Sequence, residues 1–190
     1  MALGISGDQT QHLLARIKGC ELTDAAGLQP KTLVVAIGTN NLGAGCRVED
    51  TVSGIQEIVA TLRRLRPSSK IMLLGLLPRA RHGKAGSITS PKNDFTPRLL
   101  KVNAAMRQFA AQDAQHVRYV DAWDLFSETK KSTKQLSNER SEKKRQQSGE
   151  RNIAQGLMPD MLHPNHRGMR LWGLCPGTRP ELAAGNASIG

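Results

Sequence analysis

Two residues near the end of the chain, Asp160 and His163, have the types and spacing for acid–base chemistry. They stand three positions apart. Pro164 follows His163 and biases it away from helical dihedrals, so the pair falls in an extended turn. A carboxylate at that distance can hydrogen-bond one imidazole nitrogen and leave the other free as a base, the orienting arrangement of a hydrolytic triad. An ordinary surface Asp–His contact beside a helix start has the same sequence, and so short a motif takes its meaning from structural context. His163 and His166 also share a spacing that suits metal, but no further Cys, Asp or Glu cluster completes a ligand set. Neither a metal nor a cofactor is expected.

A scaffold must present these groups, and its clearest element is Leu33-Val34-Val35-Ala36-Ile37, followed by Gly38-Thr39-Asn40-Asn41. An unbroken apolar run rich in β-branched residues reads as a strand, over 32–38, buried on both faces. In open α/β sheets ligands bind beyond the carboxyl ends of such strands, where Thr39, Asn40 and Asn41 fall. An ordinary Asn turn is the alternative there. Ile71 to Leu77, ended by Pro78, reads as a second buried strand, and Val117 to Asp121 as a third. Between them Val48, Val52, Ile55, Ile58, Val59, Leu62 and Leu65 recur at helical spacing, with Pro67 as the stop. Thr96-Pro97 starts a helix carrying Leu99, Val102, Met106 and Phe109. Ahead of the first strand, Asp8 is placed to cap a helix through Leu13, Leu14 and Ile17 that Gly19 ends. Alternating strands and helices predict an α/β fold, a parallel sheet with helices on both faces.

The 190 residues suit a single folded core. No apolar run is long enough to span a bilayer, and the N-terminus has no signal-peptide pattern. The three cysteines, Cys20, Cys46 and Cys175, form no C-x-x-C pair, which predicts reduced thiols in a cytoplasmic protein. The formal charge is +11, but much of it lies in residues 130–151, a Ser- and Gln-rich stretch that reads as a disordered, solvated insertion. Aromatic residues make up 3% of the chain, too few for a base-stacking platform, so nucleic acid is not the expected partner. The expected organisation is a core over 1–126, a basic polar insertion over 127–156, the Asp-x-x-His turn and a short helix over 157–174, and a flexible tail over 175–190.

Three stretches in order resemble conserved blocks of the SGNH, or GDSL-type, hydrolases. They are Gly4-Ile5-Ser6-Gly7-Asp8, Gly38-Thr39-Asn40-Asn41 and Asp160-Met161-Leu162-His163-Pro164. The likeness is to the branch containing the catalytic subunits of intracellular platelet-activating factor acetylhydrolase 1B. Leu74-Gly75-Leu76-Leu77-Pro78-Arg79 and Lys101-Val102-Asn103 add to it. The resemblance implies a three-layer α/β/α, flavodoxin-like parallel sheet and a serine esterase that needs no metal. It implies that Asp160 orients His163 as general base. It also implies that the Gly7 backbone N–H and the Asn40 amide form the oxyanion hole. The substrate would be a small acyl ester, an acetyl ester of a lipid among the candidates, and homodimers or pairs with a related catalytic subunit are known in that branch.

The block that carries the family's nucleophile, Gly-Asp-Ser, is expected ahead of Gly4. Ser6 is the nearest serine, but it occupies a second-block position that does not carry the nucleophile. The first strand and most of the second would be missing with that block, which would leave Leu33 to Ile37 as an apolar edge. A start upstream of Met1 is the favoured account. A remnant completed by a partner chain and a poorly folding fragment are the others. The competing function is a non-catalytic binding or scaffolding subunit that uses the basic segment to hold acidic partners.

Overall fold

The computed structural model describes residues 2–22, 27, 29–80, 93–129 and 151–173. In chain order the elements are α1 (Thr10–Arg16), β1 (Thr32–Val35), α2 (Thr39–Gly43), α3 (Val48–Leu65), β2 (Lys70–Leu74), α4 (Phe95–Gln112), β3 (Val117–Val120), β4 (Ser127–Thr129), β5 (Arg151–Ile153) and α5 (His166–Trp172). The first three strands form a parallel sheet in the order β1-β2-β3, the expected α/β arrangement. Leu33 pairs with Ile71, which pairs with Val117, and Val35 aligns with Leu73 and Tyr119 in the same way.

Side chains alternate along a strand, and these six residues share one core cluster with Ile55, Ile58 and Leu62 of α3 and with Leu99, Val102 and Met106 of α4. The amphipathic stripe of α3 is why it packs there. Glu49 and Asp50 in its first turn and Arg63 and Arg64 in its last also complement the helix dipole. A second, smaller cluster joins Ala80, Ala122, Phe126, Ile153 and Met158, with Trp172 of α5 set edge-on to Phe126 at 5.9 Å between ring centres. Among the described residues no helix is long and apolar enough to cross a membrane.

Several boundaries differ from the sequence-based expectation. The first strand stops at Val35 and is not buried on both faces: Val35 is 5% exposed, Val34 59%. Among the described residues β1 pairs only with β2, and nothing among them covers its outer edge and the face carrying Val34 as a central parallel strand is covered. The second strand ends at Leu74 and the third at Val120. Asp8 does not cap α1. Gln9 holds that position, while the Asp8 carboxylate is drawn instead into an ion pair with Arg16. Gly19 does not stop the helix, which runs on as a π-helical turn over Ile17–Glu21. α4 begins at Phe95, two residues early, and Pro97 sits in the first turn, where a missing N–H leaves no helical bond unmade. The ends of the expected insertion pair as antiparallel strands β4 and β5. Residues 81–92, most of the expected insertion (130–150) and the expected tail from 174 lie outside the described residues.

The exposure contrast along β1 has a measurable consequence. Val34→Lys is expected to suppress aggregation on heating, followed by light scattering, with the melting temperature within about 2 °C of the parent, because a lysine on an open edge blocks strand pairing at little cost. Val35→Lys, which forces a charge into the core, is expected to abolish the cooperative thermal transition.

Candidate active site

The Asp160–His163 turn is held from both sides. Met158 is fully buried in the second cluster, and Asn165 caps α5 by accepting a hydrogen bond from the Gly168 N–H at 2.9 Å. Gly168 must be glycine, since a Cβ there would lie 2.7 Å from the Leu157 carbonyl. Between these anchors Met161 adopts φ +62°, a left-handed conformation that costs a non-glycine residue about 1 kcal/mol. The bend it makes lets two backbone N–H groups converge on one carboxylate. Leu162 and His163 donate to Asp160 Oδ1 at 3.0 and 2.7 Å. The other oxygen, Oδ2, lies 2.6 Å from His163 Nδ1.

This arrangement sets the chemistry of both side chains. The His163 backbone N–H and then its ring favour the ionised form of Asp160, and, with burial opposing and the Leu162 N–H adding to them, pull its pKa down to about 2. With Nδ1 engaged, Nε2 is the nitrogen left to the surroundings, on a side chain 71% exposed. The pair expected from spacing alone is therefore in direct contact.

A second group forms beyond the end of β1. Gly38, at φ +117°, turns the chain into α2, and its site is so tight that a Cβ would meet Thr51 at 3.1 Å. Asn40, in the first turn of α2, donates one amide N–H to the Asp8 carbonyl at 2.9 Å, which leaves the second amide hydrogen for another acceptor. Gly7 precedes Asp8 in a turn with φ +81°, a conformation glycine adopts without strain, and Ser6 is exposed in the same turn.

Asn41 fastens this loop. Its Oδ1 accepts from the Thr10 N–H, and its Nδ2 donates to Thr10 Oγ1, both at 3.0 Å. Arg16 adds ion pairs to Asp8 and Glu21 and a hydrogen bond to the Leu3 carbonyl at 3.2 Å. Gly7 and Asn40 are thus neighbours across Asp8. No direct hydrogen bond joins them to His163 among the described residues. Both groups touch residues 79–80, past the end of β2, where the Arg79 guanidinium donates to the Thr39 carbonyl at 2.8 Å and the Ala80 N–H donates to the Met161 carbonyl at 3.1 Å.

Sequence reasoning gave Arg79 and Asn103 no role in the site. Both lie in stretches that add to the family resemblance, Leu74 to Arg79 and Lys101-Val102-Asn103, but neither residue type nor spacing named their partners. The Asn103 side chain accepts from the Leu76 N–H at 2.7 Å and donates to the Leu76 carbonyl at 2.9 Å, pairing with the backbone as a neighbouring strand would. Among the described residues no three His, Cys, Asp or Glu side chains gather as a metal site would require.

Comparisons with known proteins show the family and the fold. The GDSL-like Lipase/Acylhydrolase family profile matches residues 1–171. The chain is 40% identical over 100 residues to human platelet-activating factor acetylhydrolase IB subunit alpha2, a stretch that is 53% of this chain and 40% of that protein. It is 42% identical over 79 residues to the rat alpha1 subunit, covering 42% of this chain and 32% of the relative. The chain thus spans less than half the length of these curated relatives. Among solved structures it is similar in fold to a mutant of Axe2, an acetyl-xylooligosaccharide esterase from a Geobacillus species (TM-score 0.60, 14% identity, 98% of this chain and 73% of the other). It is also similar to a carbohydrate esterase of family 3 from Talaromyces cellulolyticus (TM-score 0.56, 16% identity, 89% and 64%).

The lowered Asp160 pKa makes a pH prediction. A group whose folded pKa lies below its unfolded value contributes stability that is complete above the unfolded pKa, near 4, and disappears as the pH falls towards 2. The Asp160 carboxyl carbon is expected to titrate near pH 2 by NMR. The stability difference between the parent and Asp160→Asn, measured by urea unfolding, is expected to shrink as the pH falls below about 4.

Proposed function

Because this chain belongs to the GDSL-like lipase/acylhydrolase family, we propose that it supplies the base and the oxyanion donors for hydrolysis of a small acyl ester. In this reading a serine ahead of Gly4 is the nucleophile. His163 Nε2 takes the serine hydroxyl proton as Oγ attacks the ester carbonyl carbon. The carbonyl oxygen becomes an oxyanion that accepts from the free Asn40 amide hydrogen and the Gly7 N–H. Asp160 holds the ring in one tautomer and stabilises the imidazolium. The alcohol leaves with the proton from His163, and water, activated by the same nitrogen, releases the acid from the acyl-serine.

The observation that carries this reading is the carboxylate 2.6 Å from Nδ1, which supports a base role for Nε2. Acetyl esters are the substrate class to try first, since the named relatives include acetylhydrolase subunits and a structural neighbour is an acetyl-xylooligosaccharide esterase. Residues 1–190 alone are not expected to turn over ester, because members of a triad act as a unit.

The test is to sequence the transcript 5′ of Met1, express the complete product and treat it with a fluorophosphonate probe. One serine is expected to label. His163→Ala is expected to lower labelling and p-nitrophenyl acetate hydrolysis by at least about a thousandfold, and Asn40→Ala by about a hundredfold or more. His166→Ala is expected to stay within about twofold of the parent, as for a surface residue outside the machinery. Absence of an upstream Gly-Asp-Ser would overturn the reading in favour of a binding subunit, and labelling that survives loss of His163 would overturn the base role given to that residue.

A further inference from the structure

One side chain spans the gap between the two groups of the site. Arg79 lies at the end of the run that begins with β2. Its Nη1 donates to the Thr39 carbonyl at 2.8 Å and reaches Thr39 Oγ1 at 3.2 Å. The guanidinium also lies over the Phe95 ring, 4.4 Å from its centre. It crosses Gly43 so closely that a Cβ there would be 2.9 Å from Nη1. The backbone of the same segment faces the other way: the next residue, buried Ala80, gives its N–H to Met161. Thr39 is bonded to Asn40, and Met161 lies between Asp160 and His163. The route from amide to imidazole therefore runs through one guanidinium and one backbone hydrogen bond.

α2 needs such support. A helix of five residues cannot sustain itself, and its last carbonyls lack helical partners. Arg79 serves the Thr39 carbonyl, and Arg98 serves Leu42 at 3.3 Å and Cys46. Arg98 thus meets the negative end of this short helix, while Arg79 holds its first residue. Lysine would not replace Arg79, since only a planar guanidinium can stack on Phe95 and donate within its own plane to Thr39.

We propose that Arg79 is a positioning residue that sets the separation of the Asn40 amide from the His163 ring. Arg79 holds the first through Thr39 and the second through Ala80 and Met161. The consequence for rate rests on the hydrolase reading; the coupling of the two turns does not.

The test is NMR on the 190-residue chain with Arg79→Met, Arg79→Lys and, as a control at the far end of α2, Arg98→Met. Arg79→Met is expected to shift the Asn40 side-chain amide and the His163 ring signals together and to speed amide exchange at Ala80 at least about tenfold. Arg79→Lys is expected to recover part of both shifts, and Arg98→Met to move Asn40 but not His163. Should Arg79→Met not fold, Thr39→Val, which removes only the Oγ1 contact, is expected to move both signals by a smaller amount. An unmoved His163 in Arg79→Met, or in Thr39→Val where Arg79→Met does not fold, overturns the proposal; so does an equal response to Arg98→Met. In the complete product Arg79→Met is expected to lower kcat about tenfold or more with KM within about twofold. If that product hydrolyses nothing while the NMR coupling is present, the hydrolase reading fails and the positioning role stands.

Discussion

The buried backbone that continues past the end of β2 must find hydrogen-bond partners after the sheet has ended. An unpaired peptide group in that setting costs about 1–3 kcal/mol. Residues 75–80 meet this demand with groups drawn from three parts of the chain. The Gly75 N–H goes to Val120, both polar groups of Leu76 go to the Asn103 side chain, and the Ala80 N–H goes to Met161. Each partner that satisfies the segment is thereby fixed in space. α4 is tied to the sheet through Asn103, and the Asp160–His163 turn is tied to it through Met161.

The other end of the site is held by different means. There a short helix, α2, carries Asn40, and its support comes from cations on its carbonyls and from Asn41 closing the start of α1. Polar side chains over long sequence distances replace the backbone ladder on this side. The loop bearing Gly7 and Asp8 is then fixed by Asn40 and by the ion pairs of Arg16. The arrangement places a glycine turn and a free amide hydrogen next to each other without either belonging to a long element.

The sheet itself is unequal on its two sides. The face that carries Leu33, Val35, Ile71 and Leu73 is sealed by α3 and α4, whereas Val34 on the opposite face stands open at the outer edge. Parallel strands usually have both faces and both edges covered. The apolar run that reads as a strand buried on both faces is, among the described residues, a border. That difference comes from what lies beside it, which no property of its own residues reports.

The order of residues was enough to establish the parallel α/β plan, the long helix over Val48–Leu65 and the contact between Asp160 and His163. Apolar periodicity reports which face is buried, and a proline reports which dihedrals a neighbour must avoid. It was not enough to show that Asp8 would pair with Arg16 rather than cap α1, that β1 would stop at Val35, or that Phe126 and Ile153 would share a core across the stretch read as an insertion. Nor could it give Arg79 and Asn103 their partners, since Thr39 lies 40 positions from Arg79 and Leu76 lies 27 from Asn103. Local pattern encodes a residue's preference for water or for the core. Which distant carbonyl a buried donor will reach is decided only when tertiary packing brings them together and removes the water that would otherwise serve both.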